Sequence, residues 1–223
     1  MPSSNITMEP EFYRMAPQGV SIHSARMRLT EFTHDALMKM MGDVQREAEL
    51  LSSAHVDVIV YGCSTCSLVG GVDWEQILMD QIHFNTGAKV VTVNQAVVEA
   101  IRALGCGVVG VVTPYSNALN RLEKRYLEAH GLKVSSINGL GLYDAYKIAN
   151  AKDETILELG EQAARDAQVL LFSCTSLPVV HLIERMESQW GLPVVTSNQA
   201  GLWASLNGAG LEAPKGYGRL FES

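Results

Sequence analysis

Two cysteines, Cys63 and Cys174, hold matching places in a chain that repeats itself. Val58-Ile59-Val60-Tyr61-Gly62-Cys63-Ser64 returns as Val169-Leu170-Leu171-Phe172-Ser173-Cys174-Thr175. Before them Pro2-Ser3-Ser4-Asn5 returns as Pro114-Tyr115-Ser116-Asn117, and after them Val90-Val91-Thr92-Val93-Asn94-Gln95-Ala96 returns as Val194-Val195-Thr196-Ser197-Asn198-Gln199-Ala200. The order is the same, and Asn5 to Cys63 is 58 residues where Asn117 to Cys174 is 57. Each thiol follows a buried-type strand and precedes hydroxyl residues. That puts it at the carboxyl edge of a parallel sheet, where open α/β folds bind ligands, close to backbone N–H groups that can receive an anion. A free thiol ionises near about pH 8.5, and a helix N-terminus lowers that value enough to populate the reactive thiolate. A single free cysteine is most often a small buried apolar residue. Two in register across a repeat predict opposed thiols, one from each lobe, suited to nucleophilic addition or to moving a proton between opposite faces of a substrate.

Several side chains are placed to assist. Ser64, Thr65 and Thr175 flank the thiols, and Tyr115 reaches from the turn that opens the second repeat; together they offer the fixed donors that a carboxylate or developing enediolate needs. Taken singly, each hydroxyl is ordinary turn or cap chemistry. Asn5 and Asn117 carry the same two readings, and Asn94 and Asn198 suit a paired turn at the lobe interface as well as a site. Cys63-Ser64-Thr65-Cys66 reads as C-x-x-C. No second C-x-x-C or C-x-x-H completes a metal shell, and Cys66 has no counterpart in the second copy, so neither a metal site nor a redox pair is favoured. Cys106 follows a helix-stopping glycine and reads as structural. His181, seven residues beyond Cys174, is given no role. Gly70-Gly71 and Gly139-Leu140-Gly141 match no nucleotide-binding fingerprint.

The elements that position these residues are legible as β-branched apolar runs alternating with helical stretches. Strands are predicted at Val56–Val60, Val90–Val93, Val108–Val112, Val134–Ile137, Val169–Phe172 and Val194–Val195. Helices are predicted near Thr30–Ser53, Trp74–Thr86, Ala96–Leu104, Asn117–His130, Asp153–Asp166, Val180–Trp190 and Ala200–Asn207. The alternation predicts an α/β fold of two similar lobes, each a mainly parallel sheet flanked by helices, related by a pseudo-two-fold internal duplication. Residues 1–112 would form the first lobe and 113–199 the second, with 200–223 packing back on the first. The segment 138–150 is expected to cross between lobes. The second Pro-x-Ser-Asn turn is fed by the strand before it, whereas the first begins at the first residue of the chain. Either the true start lies upstream, or the first lobe has an incomplete sheet, in which case Asn5 is expected to be poorly held.

A net charge of −7 over 223 residues argues against nucleic-acid or anionic-membrane partners. No apolar run of about 18 residues and no basic-then-apolar leader is present. Four cysteines in a chain of this length do not make a disulfide framework, and the setting expected is a reducing cytoplasm.

At these residues the chain resembles the aspartate/glutamate racemase superfamily, in the branch that holds maleate cis-trans isomerases and arylmalonate decarboxylases. Pro2-Ser3-Ser4-Asn5-Ile6-Thr7-Met8-Glu9 resembles the isomerases' opening substrate-binding motif and Tyr61-Gly62-Cys63 their first cysteine motif. Phe172-Ser173-Cys174 and Thr113-Pro114-Tyr115 resemble motifs common to both subfamilies, while Gly216-Tyr217-Gly218-Arg219-Leu220-Phe221 is closer to the decarboxylases. Decarboxylases of this kind have glycine where this chain has Cys63. The resemblance thus implies a cofactor-independent isomerase of a small dicarboxylate, with Cys63 as nucleophile, Cys174 handling the proton, and no metal; it also implies a homodimer. In the inter-lobe segment the isomerases carry a substrate-binding asparagine, where this chain has Tyr143, Asp144 or Tyr146. A two-cysteine racemase that exchanges an α-hydrogen, a malonate decarboxylase indifferent to Cys63, and a carboxylate-binding protein with unreactive thiols are the alternatives.

Overall fold

The computed structural model describes residues 1–29 and 33–223. Its strands are β1 (Val58–Tyr61), β2 (Lys89–Thr92), β3 (Val108–Thr113), β4 (Lys133–Gly139), β5 (Val169–Phe172) and β6 (Val194–Thr196). Strands β3 to β6 make one sheet in the order β4-β3-β5-β6 and β1 pairs with β2 in another; all pairings are parallel. The fold is α/β, as the alternation predicted. Strands covered on both faces need apolar residues at every position, and β5, Val169-Leu170-Leu171-Phe172, is buried throughout.

The helices are α1 (Met8–Met15), α2 (His34–Gly42), α3 (Val44–Ser52), α4 (Ser64–Gly70), α5 (Val72–Thr86), α6 (Val93–Ala103), α7 (Asn117–Ala129), α8 (Ala145–Ala149), α9 (Asp153–Ala163), α10 (Ile183–Trp190) and α11 (Ser197–Ala209). The single helix predicted over 30–53 is two, parted at Gly42 and Asp43, both weak helix formers; its residues 30–32 lie outside the described residues. Helices α1, α4 and α8 were not predicted. α4 reads Ser-Thr-Cys-Ser-Leu-Val-Gly, a poor helical sequence, and is held by burial of Ser64, Thr65, Cys66, Ser67 and Leu68.

Among the described residues the first repeat's sheet has two strands, β1 and β2, against four in the second repeat's sheet. Pro2 forms a lone parallel bridge with Met27, and Met1 and Ser3 hydrogen-bond with Met27 where β3 would pair with β4. A cavity of about 270 Å³, lined in part by Ile22–Ala25 and Val56–Val60, lies beside β1; neither Cys63 nor Cys174 lines it. The expected loosening of Asn5 does not follow, because Asn5 is fully buried and fixed by side-chain bonds to both repeats. The segment after β4 does not cross between repeats. Leu140 N–H donates to Thr113 O and Leu142 N–H to Pro114 O, and the chain continues into α9, which packs on β3 and β4.

The repeats are joined through their matching final helices. Thr92 caps α6 by accepting from Gln95 N–H, and Thr196 caps α11 by accepting from Gln199 N–H, with the Gln199 side chain accepting in return from Thr196 N–H. α6 packs on α11; α11 also lies on β1 and β2, and α6 reaches β6. After α11 the tail turns to the second repeat, where Leu220 and Phe221 are buried and Arg219 N–H donates to Glu187. Among the described residues, no helix is long and apolar enough to cross a membrane.

Candidate active site

Cys63 leaves β1 as the residue that caps α4, and Cys174 leaves β5 two residues after Phe172. Both are buried and neither is in a disulfide. Cys174 has φ 150°, a backbone conformation rarely adopted by a residue with a Cβ and worth roughly 1–3 kcal/mol of strain. Its N–H donates to Ser197 Oγ at 3.1 Å, and Ser176 N–H donates to its sulfur at 3.4 Å. The two thiols are close enough for the charge of one to act on the other.

Their acidities diverge. The Cys63 thiol is drawn down to about 7, first by a hydrogen bond from the Cys66 side chain, then by Thr65, the Cys66 N–H and the Met1 ammonium, all working against burial. Thr65 Oγ1 lies 3.5 Å from its sulfur. Burial pushes the Cys174 thiol up to about 11, only partly offset by Ser176 N–H and the Tyr115 hydroxyl. The surroundings thus favour ionisation of Cys63 and retention of the proton by Cys174.

The remaining predicted residues gather around this pair. Asn5 donates from Nδ2 to Thr175 Oγ1 at 2.9 Å and accepts at Oδ1 from the N–H groups of Thr7 and Met8. Thr175 passes the contact on to Gly62 O at 3.4 Å, so its hydroxyl ties the repeats together beside Cys63. Ser64 Oγ and Tyr115 Oη are buried and have no hydrogen-bond partner among the described residues; Tyr115 interacts with the sulfur of Cys174 but forms no close bond to it. Unpaired buried hydroxyls are costly, and they are the groups free to bind a carboxylate. Asn117, the repeat mate of Asn5, is exposed on the first turn of α7. Tyr143 and Tyr146 are exposed, Asp144 caps α8, and His181 pairs with Asp153 at the surface. Cys106 is half-buried, its sulfur facing the carbonyls of Leu104 and Gln168. Among the described residues, no cluster of three or more His, Cys, Asp or Glu could hold a metal.

The two asparagines left open between turn and site have one job in duplicate. Asn94 Nδ2 donates to Ser64 O and Asn198 Nδ2 to Thr175 O, each to the carbonyl just after a cysteine. Asn198 also donates to Glu11, whose other oxygen accepts from the N–H groups of Val179 and Val180. Glu11 went unremarked in the sequence, as did Glu123, although both stand six residues after a repeated asparagine; that spacing was the available signal. Glu123 is buried against Ser173 with Oε2 unpartnered among the described residues, and burial lifts its carboxyl to about 7.

This geometry can be set beside known proteins. The sequence pattern of the arylmalonate decarboxylase family matches residues 1–221. The chain belongs to this family. It is 30% identical to the maleate isomerase of Nocardia farcinica over 99% of its own length and 92% of that protein. In structure it is similar to a cysteine-to-alanine variant of the maleate isomerase from Pseudomonas putida S16 solved with maleate, with a TM-score of 0.92 at 30% identity, covering 99% of this chain and 94% of that one. It is equally similar, at TM-score 0.92 and 28% identity over 99% and 95% of the two chains, to a cysteine-to-serine variant of the Nocardia farcinica maleate cis-trans isomerase that carries a covalently bound succinylcysteine intermediate.

Proposed function

We propose that this chain is a cysteine-based cis-trans isomerase of a small cis-enedioate of the maleate type, with Cys63 as nucleophile and Cys174 as proton donor and acceptor. The observation that carries the reading is the pair of buried free cysteines in matching places of the two repeats, Cys63 with Thr65 beside its sulfur and Cys174 with Ser176 N–H on its own. The Cys63 thiolate adds to one alkene carbon, forming a C–S bond, and the displaced electron pair moves onto the neighbouring carboxylate as an enediolate. Cys174 delivers its proton to the adjacent carbon, leaving a succinyl thioether whose central bond is single and rotates. Cys174 then takes back a proton, the double bond re-forms as trans, and Cys63 leaves as thiolate. The succinylcysteine in the Nocardia farcinica variant supports such an adduct. Ser64 and Tyr115, with Thr65 beside Cys63, are the donors we assign to the substrate carboxylates; Asn5 and Thr175 hold the frame on which both thiols sit. A homodimer in a reducing cytoplasm, where both thiols persist, belongs to the same proposal.

The test is proton NMR of the protein with maleate in heavy water. A fumarate singlet should grow, and Cys63→Ala should slow it by roughly a thousandfold or more. An unchanged maleate signal from folded protein would sink the assignment, and full activity in Cys63→Ala would sink the nucleophile.

A further inference from the structure

The segment that follows Cys174 has no helix to bond its own backbone. Residues 175–179 are turn and irregular chain, whereas the residues after Cys63 form α4. Buried N–H groups outside regular structure need acceptors from elsewhere, and here one side chain of the first repeat supplies them. Glu11, buried on α1, accepts at Oε1 from Val179 N–H at 3.0 Å and from Val180 N–H at 3.1 Å. Its Oε2 accepts from Asn198 Nδ2 at 2.6 Å, and the same Nδ2 donates to Thr175 O at 3.1 Å. The carboxylate therefore holds both ends of the turn, the far end directly and the end beside Cys174 through Asn198. Between them Thr7, just ahead of α1, donates from Oγ1 to Ser176 O at 2.9 Å. The partners of Glu11 named here are all donors, so the place is shaped for an acceptor at both oxygens, which a carboxylate provides and an amide does not.

Cys174 depends on that turn. Its sulfur accepts from Ser176 N–H at 3.4 Å and its carbonyl from Leu177 N–H at 3.1 Å, both inside the held segment. Its φ of 150° is a conformation that persists only where the surroundings fix it. We propose that Glu11 is a positioning residue for the proton-transferring thiol: by gripping the turn at Val179, at Val180 and, through Asn198, at Thr175, it fixes where the Cys174 sulfur sits. A carboxylate of the first repeat thus sets the thiol of the second. Cys63 needs no such strut, because α4 bonds the backbone that follows it. The inference rests on the reading of Cys174 as proton donor and acceptor, yet the placement of the thiol can be measured without turnover.

The experiment compares the full chain with Glu11→Gln, which keeps the shape but turns one oxygen into a donor facing donors. Both thiols are alkylated with iodoacetamide, well below the unfolding temperature, and followed separately by peptide mass spectrometry. With the turn released, Cys174 should alkylate at least about threefold faster relative to Cys63, whose own rate should hold. Turnover of maleate should lose about tenfold or more in kcat while KM changes by less than about threefold, because a misplaced proton donor slows the chemical step rather than binding. Asn198→Ala cuts the link from Glu11 to Thr175 and should move the alkylation ratio in the same direction by less; it keeps the test alive if Glu11→Gln does not fold. A ratio equal to the parent's in Glu11→Gln, or in Asn198→Ala where Glu11→Gln does not fold, overturns the proposal. So do equal gains at both thiols, which a general loosening of the fold would give. The two readings fail separately. A raised ratio with kcat unchanged refutes Cys174 as the proton donor and leaves the strut standing, while a parent-like ratio in a protein that makes fumarate refutes only the strut.

Discussion

Glu123→Gln should remove a descending arm from the pH dependence of stability. The carboxyl sits on α7, fully enclosed, with Ser173 against one oxygen and nothing against Oε2 among the described residues. Burial lifts it from its ordinary 4.5 to about 7. Between those values the folded chain keeps a proton that the unfolded chain has released, so stability is greatest below pH 4.5 and falls as pH rises toward 7. Each tenfold change in proton affinity is worth ~1.4 kcal/mol, so the loss across the window is about 3 kcal/mol. Glutamine is isosteric, still accepts from Ser173 and carries no charge. Glu11 and Glu187 are also raised by burial and Cys63 is lowered, so the wild-type curve mixes several groups; the difference between the two proteins isolates Glu123. Urea unfolding of both at a series of pH values from 4 to 8.5 measures it, and the variant's advantage should grow by ~3 kcal/mol across the window and then level off. Parallel curves would refute the reasoning and mean that the carboxylate is solvated or paired in the folded state.

Two further substitutions probe the frame. Asn5→Ala strips the donor from Thr175 and leaves the N–H groups of Thr7 and Met8 without their acceptor; stability should drop by about 3 kcal/mol by thermal unfolding, and fumarate formation by more than tenfold even where the protein is folded. Gly110→Ala would drive a Cβ into Ala163 O, prying α9 away from β3; the urea midpoint should fall by the equivalent of about 3 kcal/mol, and an unaffected midpoint would mean that the two elements separate freely.

The strands and their burial were legible because parallel strands covered on both faces need unbroken β-branched runs, and such runs have few other uses. The repeat located both thiols, since duplication copies a position in the fold along with its sequence. Local propensity misled where tertiary burial outweighed it: α4 is helical despite Ser64, Thr65 and Ser67, and Asn5, expected to be poorly held, is fixed by Thr175 from the other repeat. The sequence also made the two cysteines look alike. Their difference arises only in the folded chain, where Thr65 lies beside the Cys63 sulfur and burial raises Cys174, since a thiol's acidity depends on the donors and dielectric around it. Asn5 and Asn117 diverge for the same reason, one sealed between repeats and the other left in water. By itself the sequence determined the fold class, the duplication and the residues available for chemistry, because those follow from periodicity and residue type. Only the tertiary structure decided which copy of each residue is buried, what it is paired with and which thiol is acidic, because those are properties of neighbours that lie far apart in the chain.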